Sequence, residues 1–406
     1  MINKVFMNSN LVQKVLRSFL LLLFALFISE AIAGNDRRKV SLLTCSPGEE
    51  VYSLFGHTAI RVSDPARDID CVFNYGLFSF NEPNFIWRFV LGETDYLLGT
   101  VDYDAFLFEY AMRGSGVTEQ VLALDSIQKN SIINALVVNS YPRNRKYRYN
   151  FLFNNCTTKA RDRIFEVYAP QYGISYSNPS QGDTMSFRQI IHNHTIGYPW
   201  YEFSMDLLLG ADADKIAMRS GAQFAPLLFR DELAGAHIKD SLVSAPIVAQ
   251  QNELLVAQPR IHSRNNLTPF NVALLLLLFT FVVMLCEKRS KKSFWGWDIL
   301  LMSMQGIVGI LLLFMVLFSQ HPAVGENWLL VWLNPLPLLL LPVLIYRIKK
   351  GLSLNFMWIQ VVMVASFILL SPFMPQEFSS ALYPCAAALI VRSLFHIYKN
   401  NICALD

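Results

Sequence analysis

Apolar positions fall into three regimes along this chain. Phe19–Ile28 is an unbroken apolar run, preceded by Lys4, Lys14 and Arg17 and followed by Ser29-Glu-Ala-Ile-Ala-Gly34. A basic start, an apolar core and an Ala-x-Ala site predict a secretory signal peptide over residues 1–33. The alternative is an uncleaved N-terminal anchor, which leaves the next segment on the same side of the membrane. From Pro269 onward, apolar stretches recur near the ~20 residues that a bilayer core requires. They predict a helical transmembrane domain over residues 266–406 with about five spans, at 269–286, 298–319, 327–346, 354–374 and 379–398. Between these regimes, residues 34–265 have the shorter periodicities of a folded, water-facing domain.

Within that middle region, Lys39–Thr44 suits a strand, Ser46-Pro-Gly48 a turn and Val51–Phe55 a short helix. His57-Thr-Ala-Ile-Arg-Val62 alternates with the period of two expected of a half-buried strand, and Asp70–Tyr75 reads as its hairpin partner. Tyr147–Phe153 is predicted as a further strand and Cys156–Tyr168 as a helix. Strands mixed with helices place the domain in the α+β class.

Charge orients the spans. Lys and Arg cluster in Glu287–Lys292, Tyr346–Lys350 and His396–Lys399, after the first, third and fifth spans, whereas Gln320–Asn327 and Pro375–Ser380 contain neither. Cytoplasmic loops carry the excess of Lys and Arg. The alternation therefore puts residues 34–265 in the periplasm of a bacterial inner membrane and the C-terminus in the cytoplasm. Pro335, Pro337 and Pro342 are tolerable inside a bundle, where neighbours satisfy the freed carbonyls. Asp298 and Arg392 are expected to snorkel to the interfaces. No chain of buried ionisable groups suggests a transport path.

Composition narrows the partners. The chain is 53% hydrophobic and 16% charged, with net charge +3 and no basic stripe interleaved with aromatics, so nucleic acid is excluded as a partner. None of the six cysteines forms a Cys-x-x-Cys pair, which argues against structural zinc; no metal and no cofactor is predicted. Cys286, Cys385 and Cys403 lie in or beside apolar helices as packing residues. In an exported domain Cys45 and Cys71 can form a disulfide or stay free; spacing does not decide between them.

Cys156 is the strongest chemical candidate. A thiol opening a helix meets unpaired backbone N–H groups and the positive end of the helix dipole, which favour the thiolate. The same N–H groups can hold an oxyanion formed at that sulfur. A thiol nucleophile needs a base, and the base needs a group to hold its ring. His57, after Gly56 at the start of a strand, is the candidate base. Asn74, on the partner strand, is either the orienting group or a strand-end cap. His192 and His194 alternate as strand residues and read as polar surface, while His237, His262, His321 and His396 stand alone. The aromatic segment holding Phe78, Phe80, Phe85, Ile86, Trp87, Arg88, Phe89 and Val90 fits either a lipid interface or packing under the hairpin. The basic run Arg143–Arg148 can attract headgroups or stay solvated.

The order His57, Asn74, then Asn155-Cys156 opening a helix resembles the circularly permuted papain-like (NlpC-like) fold of lecithin–retinol acyltransferase relatives. Thr44-Cys-Ser-Pro-Gly48, Tyr52-Ser-Leu-Phe-Gly-His57, Phe73-Asn-Tyr-Gly76, Pro83-Asn-Phe85, Asn155-Cys-Thr-Thr158, Arg161-Asp162 and Met205-Asp-Leu-Leu-Leu-Gly210 resemble the Lnb-type lipoprotein N-acyltransferases, as does the layout of exported domain then membrane helices. The resemblance implies an enzyme with Cys156, His57 and Asn74 as catalytic residues. It would move an acyl chain from a membrane phospholipid to the α-amine of a diacylglyceryl-modified cysteine on a lipoprotein. Two rival readings are a permuted papain-like cell-wall peptidase or amidase, and a non-catalytic membrane assembly factor.

Overall fold

A computed structural model describes residues 36–79, 81, 83–168, 173–239, 244–259, 267–350, 352 and 355–403. The predicted signal peptide, Phe80 and His262 lie outside the described residues.

Seven antiparallel strands form the main sheet in the order β10-β5-β1-β2-β3-β4-β6. They are β1 (Lys39–Cys45), β2 (His57–Asp64), β3 (Ile69–Leu77), β4 (Asp95–Asp102), β5 (Val117–Leu122), β6 (Lys146–Arg148) and β10 (Val248–Leu255). A small second sheet joins β7 (Gly173–Tyr176), β8 (Ala236–Lys239) and β9 (Ser244–Pro246). The helices between them are α1 (Phe85–Leu91), α2 (Tyr103–Met112), α3 (Ser126–Ser140), α4 (Cys156–Tyr168), α5 (Phe187–Thr195), α6 (Pro199–Leu208), α7 (Met218–Ala222) and α8 (Pro226–Ala234).

Both faces of the sheet are covered. On one face Leu42, Ile60, Val62, Phe73 and Tyr75 pack against Ala160, Ile164 and Tyr168 of α4 and Ile132 and Leu136 of α3. On the other, Leu43, Ala59 and Val72 pack against Phe106 and Tyr110 of α2. The central strand β2 is consequently buried at Thr58, Ala59 and Ile60 alike, where alternation alone predicts a half-buried strand; two covered faces erase the period-two signal.

Two expectations fail locally. Tyr147–Phe153 is a strand only as far as Arg148, after which Asn150 and Asn154 close a turn through reciprocal backbone bonds. His192 and His194 lie on α5, not on a strand, and neither is merely surface. His192 Nε2 meets Asp206 Oδ1 at 2.8 Å and His194 stacks on Phe55.

The C-terminal region is helical: α9 (Pro269–Ser290), α10 (Trp295–Phe318), α11 (Leu336–Leu339), α12 (Leu341–Lys350), α13 (Asn355–Leu370) and α14 (Leu382–Cys403). α9 and α10 are long and apolar enough to cross a membrane, and a third crossing is reached if the segments Trp328–Leu339 and Leu341–Arg347 count as one. They meet at 64°, and Pro342, just past the break, lacks the N–H that would continue the helix across it. A side chain on α10 at Gly309 would collide with the Asn334 backbone at 2.3 Å, so the broken segment can sit against α10 only where that helix lacks Cβ atoms.

Asp298 and Arg392 do not snorkel. Arg392 donates to both carboxylate oxygens of Asp298 at 2.6 and 2.7 Å and to Glu287 at 2.7 Å, and His396 Nε2 reaches Asp298 at 2.9 Å. All four are buried. The sequence shows no chain of buried charges because the partners come from α9, α10 and α14, far apart along the chain. Asp298 lies about one turn from the start of α10, which allowed its interfacial reading, whereas Arg392 lies midway along α14.

The two regions touch at one end of the helices. Gly210 N and Ala211 N donate to Ala323 O and Glu326 O, and Gln376 donates to Leu209 O. Ser319 and Gln320 donate to Val90 O and Leu91 O at the end of α1. The segments in contact with the sheet-bearing region are those free of Lys and Arg.

Candidate active site

Local chemistry explains why Cys156 opens α4. Asn155 Oδ1 accepts from Thr158 N at 2.9 Å while Thr158 Oγ1 accepts from Asn155 N at 2.8 Å, a reciprocal N-terminal cap. The Asn155 amide also donates to Phe151 O and Phe224 O, so the cap is buried and fixed. Capping consumes the Thr158 N–H and leaves those of Cys156 and Thr157, the first of the helix, without intrahelical acceptors. Thr58 Oγ1 and Thr157 Oγ1, 3.1 Å apart and buried, tie the helix start to β2.

His57 begins β2, opposite Cys45 of β1. Its ring is stacked against Tyr110 from α2, and its Nε2 donates to Asn74 Oδ1 at 2.5 Å. With Nε2 so engaged, Nδ1 is the nitrogen left to exchange a proton with the sulfur. β3 carries an extra residue against β4 between Asn74 and Leu77, a bulge of the kind that re-aims side chains. Gly76 sits in it at φ +91°. A Cβ built on Gly76 would lie 3.6 Å from Cys156 Cβ and 3.9 Å from His57 Cε1. Those two atoms are therefore no further apart than the two distances together. The three residues singled out from the sequence converge.

Their electrostatics favour an ion pair. Burial opposes charge on Cys156, but the His57 charge and hydrogen bond, the Thr58 backbone N–H and the Thr157 hydroxyl outweigh it, and the thiol falls below its ordinary range. Burial likewise opposes charge on His57, yet Cys156 and the bonds to Cys156 and Asn74 hold its pKa above the ordinary value. The arrangement can present a thiolate beside an imidazolium, the pair needed for thiol acyl transfer.

The other cysteines differ. Cys45 and Cys71 are free, correcting the disulfide alternative. Cys45 is level with His57 on β2 and Cys71 with Val62, an offset of about 16 Å along the strand. Burial pushes both thiols above their usual range. Among the described residues, His192, Glu202 and Asp206 bring possible metal-ligand atoms within 4.8 Å of one another. However, the buried Arg188 guanidinium already pairs with Asp206 at 2.8 Å and with Asp214, which opposes a dication there.

Sequence reasoning missed Gly76, Tyr110 and Tyr147 around the site. Gly76 was visible in Phe73-Asn-Tyr-Gly76; Tyr147 reads only as the start of a strand beside a basic run, with nothing to aim it at Cys156.

A sheet region carrying a part-buried Cys–His–Asn cluster, joined to apolar helices, defines a membrane protein with a thiol-bearing domain. The family model for the Lnb N-terminal periplasmic domain matches residues 30–192, and that for the Lnb transmembrane domain matches residues 261–401. The chain belongs to the Lnb-type lipoprotein N-acyltransferase family. No curated protein and no solved structure matches it.

Proposed function

We propose that the protein moves an acyl chain from a membrane phospholipid, through a thioester on Cys156, to the α-amine of the diacylglyceryl cysteine at a lipoprotein N-terminus. The observation that most supports this is the meeting of Cys156 with an Asn74-held His57 in a chain of this family. The thiolate adds to the ester carbonyl, the ester C–O bond breaks, and the departing lysophospholipid alkoxide takes a proton from the His57 imidazolium. The lipoprotein amine then attacks the thioester, His57 takes the amine proton, and the C–S bond breaks to restore thiolate and imidazolium.

The layout suits substrates held in a bilayer. We read residues 34–265 as the periplasmic domain and 266–406 as a bundle of about five spans with a cytoplasmic C-terminus. Contact of the Lys- and Arg-free loops with the sheet region supports that topology. A cavity of about 440 Å³ opens on His57, walled by Ser46, Glu49, Glu50, Tyr52, Arg113 and Gln258.

The test is the mass of a lipoprotein N-terminal peptide from cells that rely on this protein. The acyl group should be present with the native chain and absent with Cys156→Ser. N-acylation that persists with Cys156→Ser would remove the reading.

A further inference from the structure

Tyr147 carries a polar atom that the fold leaves unused. Its hydroxyl is buried and has no hydrogen-bond partner among the described residues. Burying a donor without a partner is costly, and such orphans in native structures call for an explanation.

The surroundings supply one. The Cβ position at Gly76 that lies 3.6 Å from Cys156 and 3.9 Å from His57 lies 4.0 Å from Tyr147 Oη. These are ordinary contact distances, so a carbon-sized space is open at the centre of a thiol, an imidazole and an unpaired phenol. The ring is held in place. β6 pairs Tyr147 with Tyr96 of β4, Tyr75 packs edge-on at 6.0 Å, and Lys159 Nζ lies 5.1 Å from the ring centroid. Burial, reinforced by the charge at Cys156, pushes the phenol well above its usual range, so it stays a donor.

We propose that Tyr147 donates a hydrogen bond to the oxyanion formed when Cys156 attacks a carbonyl seated over Gly76. The inference rests on Cys156 being the acyl-accepting atom. As the C–S bond forms, the carbonyl π pair moves onto oxygen. Tyr147 and the free N–H groups at the start of α4 hold that oxygen. On collapse the leaving group takes its proton from His57, and Tyr147 keeps its own. The same contact serves attack of the amine on the thioester.

The experiment compares the full-length protein with Tyr147→Phe in two reactions at Cys156. One is acylation by p-nitrophenyl butyrate, read from the p-nitrophenolate burst and the mass of the Cys156 peptide. The other is alkylation by iodoacetamide, which displaces iodide at a saturated carbon and forms no oxyanion. Acylation should fall by about 10²-fold, the cost of losing one oxyanion donor, with alkylation unchanged within about twofold. Unchanged acylation would overturn the proposal. An equal fall in both reactions would also overturn it, because Tyr147 would then support the thiolate and not the oxyanion. Fluorotyrosine at position 147, which keeps ring and hydroxyl but acidifies the donor, should change acylation and not alkylation; no change would again overturn it. The probe is neither phospholipid nor lipoprotein, so a Tyr147 effect on it stands whether or not those are the natural substrates. Absence of any butyryl adduct on Cys156 in the native chain would defeat both readings.

Discussion

His57 Nε2 and Asn74 Oδ1 are 2.5 Å apart although the residues occupy different strands and are not directly opposed. The β2–β3 register pairs Ile60 with Phe73, and its extension puts Gly76 opposite His57 and makes Asn74 the diagonal neighbour. The bulge in β3 closes that diagonal. The bond fixes which imidazole nitrogen faces the sulfur and stabilises the imidazolium. Hydrogen bonds to charged groups contribute about 1.5–3 kcal/mol. Asn74→Ala should therefore slow Cys156 acylation by roughly tenfold to a hundredfold. An Asn74→Ala protein that acylates at the native rate would reduce Asn74 to a strand cap.

The pH dependence of thiol reactivity follows from the two opposed shifts. Cys156 is lowered and His57 raised, so each shift favours the charged form of its group and draws the pair toward thiolate–imidazolium. Iodoacetamide should modify Cys156 rapidly below the ordinary thiol range, losing rate only as acid protonates the sulfur. The linkage has two sides. The depressed Cys156 contributes stability above its unfolded pKa that is lost as pH falls through its folded value. The raised His57 contributes stability below its unfolded pKa that is lost as pH rises through its folded value. In His57→Ala, burial acts on the thiol without its principal opponent, and the alkylation profile should move alkaline of an ordinary thiol. An unmoved profile would break the coupling.

Much of this site is legible in the chain because its signals are local. Asn155-Cys156 before an amphipathic helix and Gly56-His57 before a strand are short motifs, and β1 to β3 are successive. What escaped was non-local or a matter of the wrong period. Phe187, Ile190 and Ile191 have helical spacing behind a Ser186–Gln189 capping box, which the alternation of His192 and His194 obscured. Cys45 and Cys71 look pairable until register separates them. Tyr147 acquires meaning only when β6 joins the sheet beside β4.

The α1 helix supplies a membrane test. Phe85 is buried, whereas Ile86 and Trp87 are 77% and 56% exposed. Trp87 packs on Phe314 of α10, and the end of α1 is bonded to Ser319 and Gln320. The packing reading of this segment therefore holds on the face of Phe85 and Trp87, and exposed Ile86 is where the lipid-interface reading can be tested. Ile86→Glu should weaken acylation from phospholipid vesicles several-fold, as a charge replaces an apolar contact with lipid. Acylation by p-nitrophenyl butyrate in solution should be untouched. Equal loss on both donors would place the effect in folding.

Arg392 tests the buried charges. Removing it leaves Asp298 and Glu287 buried without their guanidinium, a loss of about 3–5 kcal/mol. Arg392→Met should lower the unfolding temperature of the detergent-solubilised protein, while Ile86→Glu should not. An Arg392→Met protein as stable as the native chain would mean that water reaches the cluster.

Acyl transfer through a thioester requires the Cys156 sulfur to carry the acyl chain. Full-length protein is incubated with phospholipid vesicles without lipoprotein, digested, and the peptide bearing Cys156 is weighed. The expected result is the added mass of one acyl chain, removed by neutral hydroxylamine as a thioester is and transferred to a diacylated lipoprotein amine when one is supplied. A Cys156 peptide of unchanged mass, from protein that still N-acylates lipoprotein, would contradict it.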